Sequence, residues 1–241
     1  MNKLFFGDCV EILPTIPDHS VNMVLCDLPY GTLGRNWDTP IPLDFLWGEY
    51  GRIVIPGGAI VLTAREPFTS RLVMSNLVGY KHKWVWNKKQ TGSPLNAKWM
   101  PLQIEEDILV FSVRGERVNY FPQMREGKWR VRGGNKGINR AMGDGQVVGY
   151  KTEGNLYHPT NIIEMANPRK NKLHPTQKPV ELFEYLIKTY SKEGDVILDN
   201  TMGSGTTCVA AKNLRRQYIG IEVDETFYKI AEKRINDLLD L

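Results

Sequence analysis

The sequence predicts an α/β fold, and three observations carry that prediction. Short apolar runs rich in valine, isoleucine and leucine alternate with segments whose apolar residues recur at helical spacing. Turn residues, mostly glycine, proline and aspartate, separate the two kinds of segment. Two of the apolar runs flow into acid-bearing turns, at Asp27 and Asp199, where an α/β sheet holds its ligands. At 241 residues the chain suits one large α/β domain or two small ones.

The first strand is Val21-Asn22-Met23-Val24-Leu25, which runs into Cys26-Asp27-Leu28-Pro29-Tyr30-Gly31. Aspartate, proline and glycine are ordinary turn residues, so this stretch alone reads as no more than a turn. Leu43, Leu46, Trp47 and Tyr50 predict a helix over 43–53, and Ala59 to Thr63 a buried strand after the turn Pro56-Gly57-Gly58. A further helix is expected over 67–77, with strands over 80–86 and 106–113. Between 114 and 172 neither periodicity persists, and glycine is dense (Gly127, Gly133, Gly134, Gly137, Gly143, Gly145, Gly149), which predicts an irregular insert. Regularity returns at Pro179, a good first helical residue, followed by the stripe Val180, Phe183, Leu186, Ile187 and Tyr190 and a stop at Gly194. A strand over 195–199, a helix over 206–214, a strand over 217–222 and a closing helix capped by Asp224 complete the chain.

Charge is distributed unevenly. The chain carries a net +4, but residues 112–172 hold twelve lysines and arginines against five acids, a net +7 that leaves −3 over the rest. A localised basic surface interleaved with Tyr120, Phe121, Trp129, Tyr150 and Tyr157 suits phosphates and bases, although a solvated charged loop has the same composition. Arg125, Lys128, Arg130, Arg132, Lys136 and Arg140 are the candidate residues of this surface for contact with a polyanion. No run approaches the roughly 20 apolar residues of a membrane helix, and the first six residues are too short for a secretory signal, so a cytoplasmic protein without a membrane partner is expected. Cys9, Cys26 and Cys208 have no metal-ligand spacing and read as small buried hydrophobes, with no metal site.

The stretch Val196-Ile197-Leu198-Asp199 leads into Gly203-Ser204-Gly205 and a helix near Thr206, a strand, glycine turn and helix that can cradle a cofactor. The helix N-terminus there favours a carboxylate or phosphate. Glu222, at the end of the following strand, stands where an acid would bond ribose hydroxyls. The glycine turn lacks the lysine of a P-loop, and Cys208 and Val209 occupy the place of a dinucleotide site's third glycine. S-adenosyl-L-methionine is the better candidate.

Together these segments resemble the amino-methyltransferases of DNA, in the permuted (beta) group whose catalytic motif precedes its cofactor motif. DLPY at 27–30 is similar to the family's Asp-Pro-Pro-Tyr, HPTQKP at 174–179 to the motif before the cofactor strand, and DNTMGSGTT with GIEVDETFY to its cofactor motifs. GDCVEILPTIPDHSVNMVLCD has the shape of its N-terminal block. The resemblance spans most of the chain outside the basic insert. It implies a Rossmann-like S-adenosylmethionine-dependent methyltransferase fold: a mixed, mostly parallel sheet with helices on both faces. Residues 1–113 would form the catalytic half, 114–172 the target-recognition insert and 173–241 the cofactor-binding half.

By matching positions, Asp27 would accept a hydrogen bond from the amino group of a flipped base, helped by the Leu28 carbonyl, with Pro29 shaping the turn and Tyr30 stacking on the base. Asp199, Gly203, Ser204, Gly205 and Thr206 would form the methionine-side cradle. Glu222 would hold the ribose, Asp8 the adenine amino group, and Thr176, Gln177 and Lys178 the carboxylate end, with Asp27 at the junction of the two sites. Alternatively, HPTQKP only steers an extended segment into the helix at Pro179, and His174 is a packing residue. Leu28 departs from the family's usual proline. Aspartate at position 27 favours adenine, with cytosine-N4 as the alternative; a DNA-binding module that keeps the fold without catalysis is the reading from another class. The implied partner is double-stranded DNA, and a homodimer and a cognate restriction nuclease are compatible with the resemblance. An RNA or protein-glutamine methyltransferase fits less well, since those usually begin the motif with asparagine and keep the unpermuted order.

Overall fold

The computed structural model describes residues 2–31, 39–92, 94–134, 137–138, 146–147, 150–167, 173 and 177–238. In chain order its first half contains β1 (Lys3–Phe6), α1 (Cys9–Ile12), β2 (Val21–Cys26), α2 (Leu43–Ile53), β3 (Val54–Ala64), α3 (Phe68–Ser75), β4 (Tyr80–Asn87) and β5 (Glu105–Ser112). Four strands of an excursion follow, β6 (Arg125–Gly134), β7 (Gly137–Ile138), β8 (Gln146–Val147) and β9 (Tyr150–Tyr157). The chain ends with β10 (Ile162–Glu164), α4 (Val180–Tyr190), β11 (Val196–Asp199), α5 (Thr206–Asn213), β12 (Gln217–Glu222) and α6 (Glu225–Asn236).

Eight strands form one sheet in the order β1-β12-β11-β2-β3-β5-β4-β10. β5 alone is antiparallel to its neighbours; every other pairing in this sheet is parallel. Buried on both faces, the central strands read as continuous apolar runs rather than alternating ones. Successive residues of β2 nevertheless divide between two cores. Met23 and Leu25 join the helices α4, α5 and α6 on one face, whereas Val21, Val24 and Cys26 join α2 and α3 on the other. Helices therefore cover both faces. The three cysteines are buried and unbridged.

Local chemistry explains the helix boundaries. Asp224 caps α6 by accepting from the Thr226 and Phe227 amides, and Asp8 caps α1 through the Val10 amide. Pro179, immediately before α4, needs no donor there.

Three expectations change. Pro56-Gly57-Gly58 is no turn before β3 but part of it, at an irregularity in register opposite Val21 and Met23. A Cβ on Gly58 would lie 2.5 Å from Val54 and 2.8 Å from the Asn22 carbonyl, so glycine is what lets the strand continue. The insert is also not irregular throughout: β6 and β9 form an antiparallel ribbon, and β7 pairs with β8. Residues 122–160 form a compact unit of their own, narrower than the expected 114–172, while residues 1–121 and 161–241 form the other. Residues 125–131 are all exposed, so no core face imposes the apolar alternation by which a strand is read from sequence. Finally, β1 and β10 add edge strands of four and three residues, too short to leave a periodic signal.

Candidate active site at the strand tips

The topology gathers the acids. The parallel strands β1, β12, β11 and β2 end together, carrying Asp8, Glu222, Asp199 and Asp27 in the first residues at or beyond their tips. Because β5 runs the other way, its opening residues lie at this same edge, where Glu105 pairs with Asn87 at the end of β4. Glu106 and Lys88 thereby reach the cleft. A cavity of about 660 Å³ opens at these tips, the place where open α/β sheets bind ligands.

One side of the cavity centres on Asp27. Its Oδ1 accepts from the Tyr30 hydroxyl at 2.9 Å and from the Thr63 hydroxyl, and its Oδ2 accepts from Lys178 Nζ at 2.7 Å. Lys178 is only 6% exposed and also lies 3.5 Å from Glu106, which in turn faces Lys88 at 3.7 Å. Burial works against the Lys178 charge, but Asp27 and Glu106 outweigh it and raise its pKa. The Tyr30 ring is stacked on Phe68, with centroids 5.1 Å apart. The Leu28 side chain is 3% exposed in the α2–α3 core, so packing anchors this backbone where the family has a proline ring.

The other side centres on Asp199. Its carboxylate accepts from the Thr201 amide at 3.1 Å and the Thr207 hydroxyl at 2.5 Å, tying the tip of β11 to the first turn of α5. Burial pushes its pKa up to about 6 despite those bonds. Glu222 accepts from the Gly203 amide at 2.8 Å and the Asp224 amide at 2.9 Å, and burial raises its pKa as well. Thr201 joins the two halves: its amide donates to Asp199 and its hydroxyl donates to the Asp27 carbonyl at 3.1 Å.

Asp8, Asp27, Leu28, Pro29, Tyr30, Gln177, Lys178, Asp199, Gly203, Ser204, Thr206 and Glu222 all line this one cavity. One of the expected placements shifts. Gly205 is not on the cavity wall; it has φ +76°, and a Cβ there would meet Ala231 of α6 at 3.0 Å, so this glycine serves helix packing. Lys178, expected at the cofactor's carboxylate end, lines the cavity and is bonded to Asp27. Gln177 does face the glycine turn, its Oε1 accepting from Ser204 Oγ at 3.4 Å and from the Leu173 amide at 2.8 Å. Thr176 and His174 lie outside the described residues, as do Lys136 and Arg140. Arg125, Lys128 and Arg130 are exposed on β6, and Arg132 is described by its backbone alone.

Sequence reasoning missed Thr63, Glu106, Lys88 and Asn200. The first three reach the site only through the pairing of β3, β5 and β4, which no local pattern encodes. Asn200 follows Asp199 directly; its Oδ1 accepts from Tyr50 at 2.6 Å, while its Nδ2 is buried at the cavity wall and makes no hydrogen bond within normal geometry among the described residues.

A mostly parallel sheet covered on both faces, with an acid-bearing cleft across adjacent strand tips, defines an α/β enzyme of the Rossmann type. The chain belongs to the DNA methylase family, whose N6/N4-type model matches residues 21–233. It is 55% identical over 260 residues to the type II methyltransferase M2.DpnII of Streptococcus pneumoniae, covering 96% of this chain and 88% of that one. It is 26% identical to M.BglII of Bacillus subtilis over 96% of this chain and 68% of that protein. Among solved structures, the M1.HpyAVI–SAM complex aligns with a TM-score of 0.65 and 24% identity, over 97% of this chain and 100% of that one. The cytosine-N4-specific PvuII DNA methyltransferase aligns with a TM-score of 0.70 and 17% identity, over 99% and 88%. At these identities the structural likeness is one of fold.

Proposed function

We propose that this DNA methyltransferase transfers a methyl group from S-adenosyl-L-methionine to the exocyclic N6 amino group of an everted adenine. The observation that carries the reading is Thr201, hydrogen-bonded at once to Asp27 and Asp199, which sets the base-side and cofactor-side acids on adjacent tips of one cavity. Aspartate at the head of the DLPY motif supports adenine over cytosine in this family.

The cofactor half of the cavity fits such a donor. A buried amide donor that makes no hydrogen bond within normal geometry among the described residues and has the Cys9 thiol near it, Asn200 Nδ2, stands where a ligand acceptor would satisfy it. Asp199 and Gln177 would hold the amino-acid end, and Glu222 and Asp8 the ribose and adenine. Each Glu222 oxygen accepts a backbone amide in the structure and keeps further lone-pair capacity for sugar hydroxyls. The bound donor supplies an electrophilic methyl carbon on sulfonium.

The chain's own residues act on the base. An aromatic amine is a weak nucleophile because its lone pair is delocalised into the ring; acceptors that favour a tetrahedral nitrogen restore part of its reactivity. Asp27 and the Leu28 carbonyl are those acceptors. The three donors on Asp27 leave its carboxylate one more acceptor position. That position is fixed before the base arrives, because Lys178, Tyr30 and Thr63 hold the carboxylate from three directions. Tyr30, backed by Phe68, offers an aromatic surface beside it for the base.

The test is to incubate the purified chain with methyl-labelled S-adenosyl-L-methionine and DNA, then hydrolyse the DNA and identify the labelled nucleoside. N6-methyldeoxyadenosine is expected; N4-methyldeoxycytidine would replace adenine as the target, and label-free DNA with retained DNA binding would leave a binding module.

A further inference from the structure

The segment joining β4 to β5 stands out from the rest of the surface. Its feet are Lys88 and Glu106, both on the wall of the cavity. Above them it rises as a narrow stem, with the Lys88 amide donating to the Ile104 carbonyl at 2.8 Å and the Gly92 amide to the Gln103 carbonyl at 3.0 Å. At the tip the chain winds tightly: the Ala97 amide donates to Pro94, and the Trp99 and Met100 amides both donate to the Asn96 carbonyl. This ordered tip presents large apolar side chains to solvent. Leu95 is 90% exposed and Trp99 86%, more than any other large hydrophobic residue described, and Met100 is 52% exposed. Leu95 and Trp99 are four residues apart across this turn. Such placement has no folding benefit, because neither side chain leaves water. Of the segment's three lysines, Lys88 faces Glu106 at 3.7 Å and Lys89 is paired with Glu164 at 3.0 Å, whereas Lys98 adjoins Trp99 at the tip, and no acid lies between Lys88 and Ile104.

We propose that this tip is a nucleobase platform: Trp99, with Leu95 beside it, stacks on a base next to the everted target in the methylated strand. The inference rests on the methyltransferase reading above and adds the DNA-side contact. Eversion leaves neighbouring bases without their stacking partner, and an apolar or aromatic side chain offered by a segment rooted in the pocket wall would replace that surface. Lys98 beside the ring, with no acid among residues 94–104, suits a polyanion. A single-stranded substrate would use the same aromatic face, since every base has one.

The experiment compares wild type, W99A, W99F and the L95A/W99A double variant. Binding is measured with oligonucleotides carrying 2-aminopurine at the target position, single-stranded and duplex, at one fixed salt concentration. W99A should weaken DNA binding about tenfold, with W99F retaining most of the affinity and the double variant weaker still. Cofactor affinity and melting temperature should not change, because both residues are on the surface. A loss on duplex DNA, with or without a loss on the single strand, supports the platform, and diminished 2-aminopurine fluorescence in the duplex supports its place beside the everted base; a loss confined to the single strand would overturn it. Unchanged W99A affinity on both substrates would overturn the proposal, as would a loss accompanied by a shift in sedimentation, which would assign the tip to a contact between two copies. Failure of the methyltransferase reading itself is separate: the wild-type chain would then label neither DNA.

Discussion

Lys178 Nζ and Asp27 Oδ2 lie 2.7 Å apart, joining two motifs separated by 151 residues in the chain. A buried lysine between two carboxylates does more than neutralise them. Removing one member of such a pair leaves an uncompensated charge in a poorly solvated site, which costs more than the pair contributes. K178A should therefore lose about 2–4 kcal/mol in urea denaturation and slow methyl transfer at least tenfold. Cofactor affinity should stay within a few-fold, because Lys178 acts on the base-side acid. D27A should abolish transfer with the same retention of cofactor. Tenfold weaker cofactor binding in a folded K178A with an unchanged turnover rate would return Lys178 to the cofactor side.

Gly194 and Gly205 separate two costs that positive-φ glycines combine. Their φ angles are close, +83° and +76°, but a Cβ at Gly194 meets nothing within 4 Å, whereas at Gly205 it meets Ala231 at 3.0 Å and Ile235 at 3.2 Å. G194A should cost about 1 kcal/mol, the penalty of a left-handed backbone for a residue with a side chain. G205A should cost about 2–3 kcal/mol, since α6 must also shift away from α5. Chemical denaturation of both variants measures the difference, and equal losses would deny the helix-packing role of Gly205.

Much of this arrangement was legible in the sequence, for identifiable reasons. Helical spacing of apolar residues is enough to place α2 at 43–53, and the acid-ended runs mark β2, β11 and β12 because strands buried on both faces are unbroken apolar stretches. The strand β6 lacks that signal because residues 125–131 are exposed, β9 because none of its residues 153–157 is buried, and β1 and β10 because they are short. Thr63 and Glu106 carry no motif; only the reversed direction of β5 brings Glu106 to the edge where Asp27 sits. Gly205 was legible as a glycine of a cofactor turn, but its neighbour across α6 is a tertiary fact.

The basic residues of β6 make a salt-dependent prediction. Lys128, Arg130 and Arg132 occupy alternate positions of that strand, and Lys128 and Arg130 are exposed. If they neutralise DNA phosphates, R130A/R132A should reduce the slope of log affinity against log salt by about two, with a greater loss of binding at low salt than at high. Fluorescence anisotropy across a salt series reads the slope. An unchanged slope would move the phosphate contacts to another surface.

Asp199 couples cofactor binding and stability to pH with opposite signs. Burial is the main cause of its pKa of about 6, raised from 3.8; the Asp27 charge adds to it, and the bonds from Thr207, the Thr201 amide and Cys26 oppose it. An acid whose folded pKa is raised binds more protons when folded than when unfolded, so its contribution to stability falls as pH climbs from 3.8 to about 6 and stays low above that. The difference amounts to ~3 kcal/mol against the unfolded chain. Binding follows the other sign: an ionised Asp199 is the form that would attract the α-ammonium group of the cofactor's zwitterionic amino-acid end, so affinity should be level above pH 7 and fall up to tenfold per pH unit below about 6. Thermal melts with and without cofactor, from pH 5 to pH 8, separate the two. The cofactor-induced rise in melting temperature should shrink below pH 6 in the wild type, whereas in D199N it should be small at every pH and lack that acid limb. A wild-type increment that stays constant from pH 8 to pH 5 would place the cofactor's positive charge away from Asp199.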